Sequence, residues 1–218
     1  WEKVGVQFTQ NIEPYEKMKL RLLNAGHTIL GILGTMCGYK TVYEAAIDED
    51  FIIFLKSFMD EEVLPTLNES NPTNVNSYKK MLVSRFQNPY INDRLSRICQ
   101  ESSAKIPLFI LPTIKDQLQS EKKVKRAAFI IAAWCKYNDG IDDFENPYKI
   151  TDSISGTLIR NATLSHQNPI KFLEIKSVFG DLSTNKLFTD SYEESLSLLR
   201  NNTIKACIKE MNASLEHN

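Results

Sequence analysis

The run AAFIIAAWC, residues 127–135, is the sequence feature that most constrains the fold. Nine consecutive apolar residues are too few to cross a bilayer, which takes about 20 in a helix. They are enough for a helix that is buried inside a globular core. Alternating strand patterns are sparse in the rest of the chain, whereas helical patterns recur throughout. We therefore expect a mainly α, multi-helical domain with little β structure.

Proline, glycine and asparagine mark where the other helices begin and end. We expect a first helix from Pro14 to about Gly38, a second helical run from 48 to near Pro65, and a helical restart at Asn88–Pro89 through 91–100. Interruptions are expected at Ser102–Ser103 and at Pro107. The sequence also suggests an extended lead-in at 4–8, loops at 68–76 and 138–148, and shorter helices around 168–178, 188–199 and 202–212.

Charge and composition exclude several classes of function. Twenty-six basic and 27 acidic residues give a net charge of −1, so no basic surface indicates nucleic-acid binding. Four scattered cysteines and three histidines give a metal site little to draw on, and we predict free core thiols and no metal. We expect no signal peptide and no membrane span, and a reducing cytoplasm is the expected location. No G-x-G-x-x-G or Walker loop marks a nucleotide site.

The segment EKMKLRLLNAGH, residues 16–27, places polar groups where a core-facing helix should be apolar. With Lys19 at zero on an ideal helix, Glu16 falls at about 60°, His27 near 80° and Asn24 near 140°. The four therefore share one side with leucines, while Arg21 points away.

Two interpretations of this polar face are open. In the structural one, Glu16 and Lys19 form a minor ion pair, and Asn24 and His27 are satisfied core polar groups. In the functional one, a lysine among apolar residues and near other cations loses proton affinity and acts as a general base. Asn24 would stabilise an alkoxide, His27 would orient a hydroxyl, and Glu16 would relay the proton to water. These are the groups that deprotonation of an alcohol requires.

A second cluster lies in RLSRICQESSAKIP, residues 94–107, where Arg97 and Lys105 flank the expected helix break. Both could grip the hydroxyls or a carboxylate of a substrate, and both would add positive field near Lys19. The spacing alone also fits two ordinary surface charges.

Together these segments resemble the C-terminal half of the mannitol dehydrogenase family, the polyol-specific long-chain dehydrogenases and reductases. The family's K-x4-N-x2-H pattern is matched by Lys19, Asn24 and His27, and its glutamate three residues earlier is matched by Glu16. Its R-x7-K pair is matched by Arg97 and Lys105. AAWCKY and KSVFGDL are similar to later family segments, so the resemblance extends over nearly the whole chain.

The resemblance implies a metal-independent, NAD- or NADP-dependent sugar alcohol dehydrogenase that interconverts D-mannitol and D-fructose. Lys19 would be the general base, Asn24 would stabilise the oxyanion, and Glu16 would gate the exit of the proton. His27, Arg97 and Lys105 would hold the polyol or ketose, with Asn24 also contacting it. Two alternatives stay open: a hexuronate reductase acting on fructuronate or tagaturonate, and a noncatalytic helical binding module.

The family's N-terminal Rossmann domain is not recognisable in this sequence. We therefore expect residues 1–213 to be the C-terminal substrate domain, with the cofactor bound mainly by a separate N-terminal domain, which would be its partner. Residues 214–218 are expected to be the remnant of a tag. The chain by itself is expected to be inactive. A monomer is favoured, although the sequence leaves the oligomeric state open.

Overall fold

A computed structural model of the protein describes residues 8–67 and 75–213. Its α-helices are α1 (Glu13–Met18), α2 (Ala25–Met36), α3 (Val42–Ile47), α4 (Glu49–Phe58), α5 (Val75–Phe86), α6 (Leu95–Ile98), α7 (Ser102–Phe109), α8 (Leu111–Gln119), α9 (Lys125–Tyr137), α10 (Ser155–Ser165), α11 (Lys176–Phe179), α12 (Lys186–Asn201) and α13 (Ile204–Ala213). Turns of π-helix span Lys19–Asn24 and Met59–Val63, and 3₁₀ turns span Leu64–Thr66, Pro169–Phe172 and Leu182–Thr184. Within the described ranges, β structure is limited to isolated bridges between Thr41 and Arg94 and between Ile141 and Pro147. The prediction of a mainly α fold is confirmed.

Helix α9 forms the centre of the core, as its apolar run predicts. Its alanines allow neighbouring helices to approach closely, and α12 packs along its length. Trp134 is fully buried against the rings of Phe172 and Phe179, at centroid distances of 5.1 and 5.8 Å. Its indole N–H donates to Ser102 Oγ at 2.9 Å, which satisfies the polar atom that burial removes from water.

The N-terminus of α9 is capped by a buried carboxylate that the sequence did not reveal. Glu62, on the second π turn, accepts hydrogen bonds from the backbone N–H groups of Arg126 at 2.6 Å and Ala127 at 2.9 Å. Burial raises the pKa of Glu62 to about 7, and the two backbone donors oppose that rise. The side chain of Arg126 is buried as well and pairs with Glu61. A polar network therefore fixes α9 to the π turn that precedes it.

The restart predicted at Asn88–Pro89 is wrong. Asn88 Oδ1 accepts from the N–H of Tyr90 at 2.9 Å, and Ile91 N–H donates to the Asn88 carbonyl at 3.1 Å, so the segment forms a tight turn. The next helix, α6, begins only at Leu95. An asparagine that closes a turn on its own backbone has the same sequence signature as one that caps a helix.

The interruptions predicted at Ser102–Ser103 and Pro107 are also displaced. The chain breaks at Glu101, which has a left-handed φ of 51°, and Ser102 is the first residue of α7. Asp152 receives hydrogen bonds from the hydroxyl of Ser103 at 2.6 Å and from its backbone N–H at 2.9 Å. Pro107 lies inside α7. A carboxylate from elsewhere in the chain therefore caps this helix, and the serines do not end it.

Several other boundaries agree with the sequence. The first helical stretch ends at Met36, two residues before Gly38 at φ 81°, and the loop at 138–148 is present.

All four cysteines are free thiols, as predicted. Residues 4–7 of the extended lead-in and 68–74 of the predicted loop lie outside the described residues, and 75–76 are already helical. Helices α3 and α10 were not predicted.

Candidate functional site

Lys19 and Asn24 lie at the two ends of a π turn joining α1 to α2, so the ideal 100° rotation fails for this pair. The backbone N–H of Ala25 donates to the carbonyl of Leu20, five residues earlier, which is the bond that defines π-helix. In that geometry residues five apart lie on one face, as residues four apart do in an α-helix. The 140° offset predicted for Asn24 is therefore wrong, because it assumed α-helix. The K-x4-N spacing instead places both residues on one face of the helix.

Glu16 and Lys19 are exposed, and Asn24 is half-buried. Within the described part of the chain, none of these three side chains makes a hydrogen bond or ion pair with another residue. The Glu16–Lys19 ion pair of the structural interpretation is therefore absent. Arg21, on the opposite side of the π turn, is buried and pairs with Asp116 Oδ2 at 2.6 Å. The π turn is thus fixed by its back face, and its front face keeps polar groups available.

His27 follows one turn later on α2. Its ring is half-buried and meets the ring of Phe86 edge-on, with centroids 4.8 Å apart. Its Nε2 lies 3.9 Å from Asp93 Oδ2. Burial lowers the pKa of His27 below 6.5; Asp93 opposes this shift, and the cations of Arg85, Arg97 and Lys105 add to it. Since those charges all act on one imidazole, the two sequence clusters meet here.

Arg97 lies on α6 with 63% of its side chain exposed, and its Nη2 donates to Asp93 Oδ1 at 2.5 Å. Lys105, on α7, is half-buried and donates to the Ile98 carbonyl at 2.9 Å. Burial lowers the pKa of Lys105, with a contribution in the same direction from Arg97. Neither residue is an unconnected surface charge, because each is fixed by a neighbour in the α6–α7 region.

Two glycines of α2 allow α6 to approach this closely. A Cβ at Gly31 would lie 2.9 Å from Ile98 Cγ2, and one at Gly34 would lie 2.8 Å from Leu95 Cδ1. Both distances are shorter than ordinary van der Waals contact. The glycines therefore set the spacing between the helix that carries His27 and the helix that carries Arg97.

Sequence reasoning missed two charged residues of this site, Asp93 and Arg85. Asp93 contacts both Arg97 and His27, and Arg85 precedes the phenylalanine that covers the imidazole. The four-residue spacing from Asp93 to Arg97 was a usable signal for that pair. The contact with His27 crosses 66 positions and had no local signal. The described residues show no hydrogen bond between this cluster and Lys19, Asn24 or Glu16.

The described residues include neither a cluster of metal-binding side chains nor a membrane-spanning helix. No set of three or more histidine, cysteine, aspartate or glutamate side chains is placed to hold a metal ion. In the same ranges, no helix has both the length and the apolar character that crossing a membrane requires.

Comparison with known proteins identifies the family. Residues 11–200 match the model of the mannitol dehydrogenase C-terminal domain. The chain is 40% identical to mannitol 2-dehydrogenase of Aspergillus niger over 184 residues, covering 83% of this chain and 38% of that protein. It is 35% identical to mannitol dehydrogenase DSF1 of Saccharomyces cerevisiae over 213 residues, covering 97% of this chain and 42% of that protein.

Solved structures agree with the sequence comparisons. The fold matches Pseudomonas fluorescens mannitol 2-dehydrogenase, solved as a ternary complex with NAD and D-mannitol, with a TM-score of 0.91 and 34% identity over 97% of this chain and 43% of that one. It also matches a D-sorbitol dehydrogenase in substrate-free form, with a TM-score of 0.85 and 26% identity over 95% of this chain and 43% of that one. The chain thus spans about two fifths of the length of these relatives. By sequence and by fold, it belongs to the mannitol dehydrogenase C-terminal domain family.

Proposed function

We propose that this chain is the substrate half of an NAD-dependent sugar alcohol dehydrogenase that interconverts D-mannitol and D-fructose. The observation that carries the proposal is the π turn, which brings Lys19 and Asn24 to one face, where neither side chain makes a hydrogen bond or ion pair within the described residues. The matched relatives, which are named mannitol dehydrogenases, support the choice of a polyol.

In this proposal Lys19 acts on the proton of the substrate hydroxyl. Its amine nitrogen accepts that proton from oxygen while the C–H electron pair leaves carbon as hydride, and the C–O bond becomes a carbonyl. Asn24 donates its amide N–H to the oxygen, where negative charge develops in the transition state. Glu16, exposed three residues before Lys19, then passes the proton to water. In the reduction of fructose the same groups act in reverse.

The described residues do not form a dinucleotide-binding fold. They contain isolated bridges instead of a parallel sheet, and no strand leads into a glycine-rich turn and helix. We therefore place NAD, which accepts the hydride when bound, mainly on an N-terminal domain outside this chain. NADP would serve the same chemistry. The contacts that discriminate NAD from NADP would lie on that N-terminal domain.

His27, Arg97 and Lys105 are proposed to hold the remaining hydroxyls of the substrate. They come from α2, α6 and α7. Asp93 contacts both His27 and Arg97, and the charge of Lys105 acts on the imidazole of His27, so three elements converge on one substrate. Their N–H groups are hydrogen-bond donors suited to a polyhydroxylated chain. We also propose that the protein works in the cytoplasm, consistent with its four free thiols, and as a monomer.

The test compares Lys19→Ala with wild type in the complete protein that carries this chain. Loss of a general base costs about 10²- to 10⁴-fold in turnover, and fructose reduction with NADH should fall by that amount. Lys17→Ala is the matched control, because Lys17 lies two residues away and pairs with Asp116 at 3.7 Å. Its turnover should stay within about twofold of wild type, as expected for a surface pair.

Three outcomes contradict parts of this proposal. Turnover unchanged in Lys19→Ala excludes it as the general base and favours a noncatalytic module. A wild type that reduces fructuronate or tagaturonate in preference to fructose makes the protein a hexuronate reductase. Fructose reduction by this 218-residue chain alone, abolished by Lys19→Ala, refutes the division of labour between two domains.

A further inference from the structure

The two carboxylate oxygens of Asp93 contact different groups. Oδ1 accepts the hydrogen bond from Arg97 Nη2 at 2.5 Å, and Oδ2 lies 3.9 Å from His27 Nε2. One side chain therefore connects two residues that are proposed to hold the substrate. A quarter of the Asp93 side chain is exposed, so the pair with Arg97 lies at the edge of the site.

The backbone holds Asp93 in this position. Its carbonyl accepts from the N–H of Val42 at 2.9 Å, and two residues later Leu95 N–H donates to the carbonyl of Lys40 at 2.9 Å. These bonds anchor the 93–95 segment to the chain that follows α2. The carboxylate therefore stays between His27 and Arg97 unless that attachment is broken.

The surroundings of His27 are dominated by positive charge. Three cations, Arg85, Arg97 and Lys105, act on the imidazole, and the carboxylate of Asp93 acts against them. A cluster of three cations would attract an anionic substrate. Asp93 reduces that positive charge and occupies Arg97, whose planar group is suited to grip a carboxylate in a bidentate manner.

We propose that Asp93 is a specificity-determining residue that selects a neutral polyol or ketose over the corresponding uronate. Because Arg97 is already paired, a substrate hydroxyl can use its remaining N–H donors, whereas a substrate carboxylate must displace Asp93 and approach a second negative charge. This inference rests on the proposed function and adds to it the chemical class that the site rejects.

The test uses Asp93→Asn in the complete protein, which removes the charge and keeps the shape. With NADH, kcat/KM for fructuronate should rise and that for fructose should fall, moving their ratio by about three- to tenfold, the range for a partly exposed charge pair. Structural damage lowers both values and cannot produce the rise. Asp93→Glu should keep the wild-type preference, and Asp93→Ser provides a second neutral variant if the asparagine variant folds poorly.

Asp190→Asn is the matched control. Asp190 also pairs at a four-residue spacing, with Lys186 at 2.9 Å, but on the exposed face of α12. Its ratio should equal that of wild type. If wild type prefers fructose and neither neutral variant shifts the ratio, the inference is refuted and the proposed function stands. If wild type prefers fructuronate, Asp93 does not exclude carboxylates. If wild type reduces neither sugar, the proposed function fails and this inference fails with it.

Discussion

The imidazole of His27 meets the ring of Phe86 edge-on, with centroids 4.8 Å apart, although 59 positions separate the two residues. This contact buries one face of a group that would otherwise be hydrated, and the pKa of His27 is lowered by that burial. That shift favours the uncharged imidazole, which carries one N–H donor and one acceptor nitrogen. That state suits the binding of a hydroxyl group, which both donates and accepts.

The stability of the fold should fall as pH drops through the ordinary titration range of histidine. The unfolded state binds a proton to His27 at about 6.5 and the folded state binds it only at lower pH, so unfolding takes up a proton in that window. Because Glu62 acts in the opposite direction over the same range, the loss should be measured as the difference between wild type and a His27 variant in urea denaturation at pH 7.5 and 5.5. His27→Gln should remove part of it. An unchanged pH dependence in that variant would contradict burial as the cause.

Glu62 predicts a loss of stability in the opposite direction. Its pKa is raised to about 7, from an ordinary value of 4.5, so the folded state keeps a proton that the unfolded state releases. Its contribution is complete at pH values below the unfolded pKa and is lost as pH rises through about 7. Between pH 5 and 8 the free energy of unfolding should fall by about 1–3 kcal/mol from this group. Glu62→Gln should flatten the profile. A wild-type stability that rises across this range, with no change in the variant, would refute it.

Adding a methyl group between α2 and α6 should disturb substrate binding. In Gly31→Ala the new methyl group meets Ile98 and Cys99 at 2.9 and 3.1 Å, and overpacking of this kind costs about 1–3 kcal/mol. The KM for fructose should rise, because α6 carries Arg97. Gly156→Ala is the control, since nothing lies within 4 Å of that position in α10. It should be neutral or stabilising by up to about 1 kcal/mol. Equal effects of the two substitutions would contradict the close-contact argument.

The π turn can be tested by moving the asparagine by one residue. In an α-helix, position 23 is four residues after Lys19 and would share its face; in the π turn, position 24 does. Asn24→Leu should lower turnover by about 10²- to 10³-fold, as expected for loss of an oxyanion donor. The double variant Leu23→Asn/Asn24→Leu should be no more active than the single one. Recovery of turnover in the double variant would contradict the role that the π turn gives to position 24.

The helical class and the buried α9 were predictable because apolar runs and a helical period leave few alternatives. The placement of Lys19 and Asn24 on one face was not predictable, because a helical wheel assumes the same 100° rotation at every residue and a π turn departs from it. Asn88 and Ser102 show a second limit of sequence-based prediction. The residue type alone does not tell whether a side chain caps a helix, closes a turn, or lies at a helix start that another residue caps. Asp93 shows a third, since its contact with His27 depends on how two distant helices pack.

The site was predictable to a different extent from the fold. The candidate residues were selected from polar positions in two segments, and the family resemblance then favoured their functional interpretation. Their roles stay predictions. They are Lys19, Asn24, His27, Glu16, Arg97 and Lys105. The structure adds that His27 and Arg97 contact one carboxylate, that of Asp93, and that the charge of Lys105 acts on the same imidazole. The polar caps of Glu62 and Asp152 were invisible beforehand, because each acts on a helix remote in sequence.

Because Trp134 donates a hydrogen bond to Ser102, its fluorescence can report whether α7 stays packed on the core. An indole with no solvent contact emits at short wavelength, and this one is attached to the first residue of the helix that carries Lys105. Detachment of α7 from the core would expose the ring and shift its fluorescence to the red. Emission from Trp134 thus follows the integrity of the substrate-holding region without any added dye.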